Sequence, residues 1–128
     1  MITKEDTIAI VGASNNSSKY GNIVMKDLLS KGFDVIPINP HEEKILEQQV
    51  YHSLKEVPEK VDVVIFIVPP VVVLKVLETV KNLGIQKVWM QPGSESKEAI
   101  DFCSKNGIEC LHDACIMTQE SIKSPQHL

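Results

Sequence analysis

Short runs of β-branched and apolar residues alternate along this chain with stretches whose apolar side chains recur at helical spacing. Ile8 to Val11 is the first run, a short strand. From Gly21 the apolar positions Val24, Met25, Leu28 and Leu29 form one stripe of a helix that stops at Lys31-Gly32. Val35 to Ile38 reads as a second strand. Pro37 inside it marks an edge or a bulge, because proline has no N–H to give a neighbour. Residues 42–47 suggest a short helix and 53–56 a turn. The run VDVVIFIV, residues 61–68, is almost wholly apolar, as befits a strand covered on both faces. After Pro69-Pro70, the residues Val73, Val76, Leu77, Val80 and Leu83 trace a helix to Gly84. Val88 to Met90 is the next strand and Pro92-Gly93 a turn. Ser94 is the expected cap of a helix that carries Glu95 and Glu98 near its start and runs to Asn106-Gly107. Ile108 to Leu111 is the last strand. Strand and helix thus alternate at short spacing. The expected fold is a single α/β, doubly wound, Rossmann-like domain with a mostly parallel five-stranded sheet and helices on both faces. It is expected to span residues 1–120, with 121–128 a polar tail.

Charge and composition narrow the function classes. Thirteen basic side chains against seventeen acidic ones give a net charge of −4 over 128 residues, which argues against a nonspecific nucleic-acid binder. No apolar run approaches the ~18 residues of a membrane span, and MITKEDT has no cationic-then-apolar leader pattern. Cys103, Cys110 and Cys115 cannot all pair within one chain and form no CxxC, which fits a reduced, cytoplasmic setting. His41, His52, His112 and His127 are scattered without metal-ligand spacing.

Doubly wound sheets bind ligands beyond the carboxyl ends of their strands, where strand order reverses. Those ends are readable as Gly12-Ala13-Ser14, Asn39-Pro40, Val68-Pro69-Pro70, Gln91-Pro92-Gly93 and His112 to Cys115. The first loop, GASNNSSKYG, offers small residues for close backbone approach to a phosphate, with hydroxyls at Ser14, Ser17 and Ser18, a charge at Lys19 and a helix start at Gly21. A polar loop that needs glycine only for its turn would look the same. The loop lacks the compact spacing of dinucleotide sites, and no Asp or Glu follows the second strand to hold an NAD ribose. Asn39-Pro40-His41, with Lys44 close behind, would accept a phosphorylated ribose, as in coenzyme A or NADP.

The ordered blocks VGAS…YG, VIPINP, VYHSLKEVP, VDVVIFIVPP and VWMQPGSES, ending in CIM, resemble the stand-alone CoA-binding domain family over about residues 6–117. More distantly they resemble the N-terminal CoA-binding domain of succinyl-CoA synthetase alpha subunits and acyl-CoA synthetases. The resemblance implies coenzyme A lying across the strand ends. It puts Gly12, Ala13 and Ser14 under the CoA phosphates, flanked by Ser18, Lys19 and Tyr20, with Gly21 opening the helix. It matches Asn39 and Pro40 to the turn after the second strand, with Lys44 near the nucleotide end. It assigns Val68, Pro69 and Pro70 to the adenine side, and Gln91, Pro92 and Gly93 to the block after the fourth strand. Glu47 departs from the family, which often has glycine there. The ligase domain and phosphorylated histidine of the synthetases have no counterpart in the sequence, so synthetase chemistry is not carried over.

Chemistry beyond binding has few candidates. His112 and Asp113 could act as a base pair, although adjacent residues at a strand end usually point apart and a polar turn is the simpler account. Cys103 on a helix and Cys110 in a strand read as buried, inert thiols. Cys115 follows the last strand on the ligand side, where it could form a mixed disulfide with CoA. Three functions remain open: a CoA or acyl-CoA binder without synthetase activity, a small acyl-CoA-processing enzyme, or an NADP-linked or redox-sensing regulator. A small molecule is the expected partner, not nucleic acid or membrane, and a second copy of the chain or another protein stays open. Gly12→Val is expected to abolish CoA binding with the fold largely intact.

Overall fold

The computed structural model describes residues 2–118. The expected tail at 121–128, with His127, lies outside these residues. The elements in chain order are β1 (Thr7–Val11), α1 (Tyr20–Ser30), β2 (Asp34–Ile38), β3 (Lys44–Ile45), β4 (Gln48–Gln49), β5 (Val63–Phe66), α2 (Pro70–Asn82), β6 (Lys87–Met90), α3 (Lys97–Lys105) and β7 (Glu109–Leu111). Short 3-10 turns occupy Leu54–Glu56 and Ile116–Thr118. None of these helices is long and apolar enough to cross a membrane.

Five strands form one parallel sheet in the order β2-β1-β5-β6-β7. The chain leaves β1 through α1 and lays β2 on one side, then crosses to lay β5 on the other side of β1. Strand order therefore reverses between β1 and β5, and the expected doubly wound fold is the observed one. Alternate side chains of each strand feed two cores. Ile8, Ile10, Val63, Ile65 and Trp89 pack under Val24, Met25 and Leu28 of α1. Ala9, Val11, Val64, Phe66, Val88 and Met90 pack against Val73, Leu77 and Val80 of α2 and Ala99 and Cys103 of α3. Every residue of β5 is buried because both of its faces are covered.

Three local expectations are corrected. Residues 42–47 form no helix; β3 and β4 make an antiparallel hairpin there, pairing Lys44 with Gln49 and Ile45 with Gln48. Its two turn residues, Leu46 and Glu47, have φ of 48° and 64°, the left-handed geometry of a tight hairpin. Tertiary anchoring outweighs helix propensity here: Ile45 is fully buried, and Asn15 Nδ2 donates to the Lys44 carbonyl at 2.9 Å. The cap of α3 is Ser96, whose Oγ accepts from the Ala99 N–H at 3.1 Å, and not Ser94. The strand read at 61–68 is regular only over Val63–Phe66, although the amides of Asp62 and Ile67 still donate to Thr7 and Val11 carbonyls. Pro37 lies in β2, at the sheet edge, as its missing N–H requires.

Candidate functional site

The reversal between β1 and β5 brings the loops after these two strands into contact, and Gly12 is the contact point. Its φ is +102°, and a Cβ there would lie 2.3 Å from the Ile67 carbonyl oxygen and 2.8 Å from Val68 Cγ1. Gly21 meets the same loop from the other direction, since a Cβ on it would lie 2.0 Å from the Gly12 carbonyl oxygen. Both glycines are required by packing before any ligand is considered. The expectation that Gly12→Val would leave the fold largely intact is thereby overturned, because the added carbons meet backbone.

The loop from Gly12 to Lys19 holds its own shape. Ser14 Oγ accepts from the Asn16 N–H at 3.0 Å, and Asn16 Oδ1 accepts from the N–H and hydroxyl of Ser18 at 3.0 and 2.7 Å. Asn22, buried in α1, donates to the Ser14 carbonyl at 3.0 Å, and Asn39 donates to the Ala13 carbonyl at 2.8 Å. With the carbonyls of Ala13 and Ser14 held by these amides, the loop backbone is set in one orientation. Ala13 is buried, whereas Ser18, Lys19 and Tyr20 are exposed. Asn15, Asn16 and Asn22 were not singled out by sequence. Asparagine-rich loops are a signal for side-chain-to-backbone bonding, but not for which carbonyl is bonded.

The helix ends differ in a way that bears on anions. The first amides of a helix have no partner within it. At α1 the capping position is Lys19, with no side-chain cap and no acidic residue in the first turn. At α2 the capping position is Pro69, again with no side-chain cap and no acid. By contrast α3 is capped by Ser96 and carries Glu98 in its first turn. The two helices that follow the reversal strands β1 and β5 are thus uncapped by side chains and acid-free at their positively polarised ends, whereas α3 is capped. Of the two, α2 offers mainly its dipole, because Pro69 and Pro70 have no N–H and the amides of Val72 and Val73 donate to the Pro69 carbonyl.

Two recesses flank the reversal point. One, about 370 Å³, is mainly apolar and is lined by Gly12, Asn39, Pro40, Val68, Val72 and Val76 together with His52 and Leu54. The other, about 170 Å³, is lined by Tyr20, Ile67, Gln91, Pro92 and Cys115. Gln91 is buried and serves as the strut of the second recess. Its Oε1 accepts from the Ile116 N–H at 2.6 Å and its Nε2 donates to Cys115 Sγ at 3.2 Å. Trp89, read as simple core, also reaches this segment by donating from Nε1 to the Ala114 carbonyl at 2.9 Å. Ser94 bridges the loops instead of capping a helix: its hydroxyl donates to the Val68 carbonyl at 2.7 Å and accepts from the Val68 N–H at 3.1 Å.

Nine of the expected site residues line neither recess: Ala13, Ser14, Ser18, Lys19 and Gly21 in the first loop, Pro69 and Pro70 at the start of α2, Gly93 in the turn, and Lys44 on the β3–β4 hairpin. Lys44 is exposed there. Glu43 of this segment pairs with His52 at 3.2 Å, and Glu42 accepts from Asn15 at 2.9 Å. His112 and Asp113, expected to point apart, instead meet at 2.5 Å between Nδ1 and Oδ2, because Asp113 takes a φ of 64° that turns it back. No group of three or more side chains suited to a metal ion occurs among the described residues.

The sequence matches the family described as CoA binding domain over residues 6–120. It is 49% identical to a conserved hypothetical protein from Pyrococcus furiosus of known structure, with a TM-score of 0.84 over 88% of this chain and 97% of that one. It is 31% identical over 120 residues to the acetate–CoA ligase (ADP-forming) II subunit alpha of Pyrococcus furiosus, covering 85% of this chain but 26% of the ligase subunit. An uncharacterized Bacillus subtilis protein, YneT, is 25% identical over 122 residues, covering 95% of this chain and 90% of that protein.

Proposed function

The chain belongs to the CoA binding domain family, and from that membership we propose that it binds coenzyme A or an acyl-CoA across the carboxyl ends of its strands. The observation that carries the reading is the pairing of uncapped, acid-free starts of α1 and α2 on either side of Gly12. A pyrophosphate over Gly12, Ala13 and Ser14 would take up the free amides at the start of α1, with Ser18, Lys19 and Tyr20 beside it and Gly21 beneath. The larger recess, with Asn39, Pro40 and Val68, suits the adenine end by its apolar lining, and Pro69 and Pro70 follow Val68 into the start of α2. Lys44 supplies charge toward a ribose phosphate. Asn39, where a carboxylate would hold an NAD ribose, favours a phosphorylated nucleotide. The pantetheine arm would then run past Pro92 and Gly93 to the smaller recess, where Cys115 stands against Gln91.

A thiol at that recess gives the bound form a second mode. Cys115 thiolate attacking CoA disulfide would form one Cys115–CoA disulfide and release one CoA thiol. Calorimetric titration with CoA, NADP and NAD tests the reading, with CoA expected to bind tightest. Tighter binding of NADP than of CoA would replace it with a dinucleotide site. Cys115→Ser is expected to keep reversible CoA binding and lose the covalent adduct formed with CoA disulfide. Loss of reversible binding in a folded Cys115→Ser protein would contradict this arrangement.

A further inference from the structure

The side-chain amide of Gln91 has two ends with unequal partners. The residue itself is fixed by its backbone, whose N–H donates to the Phe66 carbonyl at 3.1 Å and whose carbonyl accepts from the Ser94 N–H at 2.9 Å. Its side chain, 4% exposed, reaches the segment that follows β7. The Ile116 N–H can only donate, so the oxygen Oε1 has to face it, at 2.6 Å. That segment is itself anchored, because Ile116 is fully buried in the core under α1 and the Ala114 carbonyl accepts from Trp89 Nε1. Nε2 is thereby turned to the smaller recess, where its partner among the described residues is Cys115 Sγ at 3.2 Å. Thiol sulfur is a weak acceptor, and an amide nitrogen carries two N–H groups. A nearly enclosed double donor is left with one poor acceptor, in a recess otherwise walled by Tyr20, Ile67 and Pro92. Tyr20 is 61% exposed, so solvent can serve its hydroxyl; Gln91 has no such outlet.

We propose that Gln91 Nε2 is a carbonyl-binding donor, and that the smaller recess therefore prefers an acyl thioester to a free thiol. The proposal rests on the reading that CoA binds with its sulfur end in this recess, and it names the form of CoA the recess selects. In a thioester the carbonyl oxygen is carried by the carbon bonded to sulfur. A ligand sulfur placed beside Cys115 thus brings that oxygen to the nitrogen that now meets Sγ. A carbonyl oxygen is a far better acceptor than a thiol, and with two N–H groups Nε2 can serve it without giving up Cys115. Free CoA offers Nε2 only a second sulfur. A thioether offers the same sulfur and carbon chain but no oxygen, so the carbonyl and not the bulk of the acyl group decides. The Ile116 N–H keeps Oε1 occupied, which prevents the amide from turning its own oxygen toward the ligand. One neutral hydrogen bond gained in this way corresponds to a preference of about fivefold.

Acetyl-CoA, S-ethyl-CoA and CoA are the probes, titrated calorimetrically into the wild-type protein. S-Ethyl-CoA has the carbon count of acetyl-CoA and lacks the carbonyl oxygen. Acetyl-CoA should bind about fivefold more tightly than either of the others. Gln91→Glu keeps an oxygen for the Ile116 N–H, and in alkaline buffer its carboxylate has no hydrogen to donate. In that variant, its folding verified by circular dichroism, the preference for acetyl-CoA over S-ethyl-CoA should vanish or reverse. Cys115→Ala removes the competing sulfur and leaves Gln91 in place, so it should keep or widen the preference. Equal affinity of the wild-type protein for acetyl-CoA and S-ethyl-CoA would overturn the proposal and leave CoA binding standing. So would an unchanged preference in folded Gln91→Glu protein. Binding of none of the three probes would overturn both readings together.

Discussion

Replacing Gly12 with alanine isolates the closeness of the β1 and β5 loops from any effect on a ligand. Two costs add. The φ of +102° lies beyond the left-handed well in which other residues are tolerated, and holding alanine there costs ~1–3 kcal/mol. The new methyl would also lie 2.3 Å from the Ile67 carbonyl oxygen, so backbone must shift, and overpacking of this kind costs ~1–3 kcal/mol. A mid-range total of ~4 kcal/mol with a urea slope of ~2 kcal/mol per molar lowers the unfolding midpoint by ~2 M. Gly84→Ala is the internal control. It has a φ of +74° with nothing within 4 Å of an added Cβ, so only the conformational cost of ~1–2 kcal/mol applies. Urea unfolding of the ligand-free proteins, followed by circular dichroism, should rank Gly12→Ala well below Gly84→Ala. A Gly12→Ala loss no larger than that of Gly84→Ala would refute the packing argument and return Gly12 to a ligand-contact role alone.

Gln91→Leu removes the acceptor for the buried Ile116 amide, so stability should fall by ~1–3 kcal/mol and alkylation of Cys115 by iodoacetamide should speed up; an unchanged alkylation rate would remove the strut role. Glu47→Gly relieves a left-handed non-glycine residue at φ 64° and should stabilise by about 1 kcal/mol in thermal or urea unfolding; a destabilised variant would contradict the hairpin strain. The buried Cys103 thiol, pushed above the ordinary thiol value, and the Cys110 thiol, held below it, should also make stability depend on pH. From the lowered value of Cys110 up to the ordinary thiol value of 9.0 the folded protein holds fewer protons than the unfolded chain, so stability rises with pH. Above 9.0 the unfolded chain loses both protons while the folded state retains the one on Cys103, so stability falls. A Cys103→Ala/Cys110→Ala protein should lack this maximum in urea unfolding measured across pH, and an identical profile in both proteins would argue against this account of the two thiols.

The alternation of apolar runs with helical stripes already determines the fold class, because a strand buried on both faces has to read as an unbroken apolar run, as Val63 to Phe66 does. Pro37 likewise announces an edge strand through a missing N–H, and Gly12 and Gly21 mark the loop after β1. Tertiary structure decides what those glycines are for. The carbonyls that exclude a side chain at Gly12 and Gly21 belong to Ile67 and to Gly12 itself, and only folding puts them there. Non-local partners likewise give Ser94 to Val68 instead of to a helix start, and Gln91 to Cys115 and Ile116. The β3–β4 hairpin in place of a helix follows from burying Ile45 against the α1 core, a gain that local propensity cannot register. Cys103 and Cys110 are seven positions apart, a helical spacing, but the helix ends at Lys105 and Cys110 stands in β7. The reversal of the chain between α3 and β7 sets both against one core, because a tight turn after a helix returns the chain along the helix's own buried side.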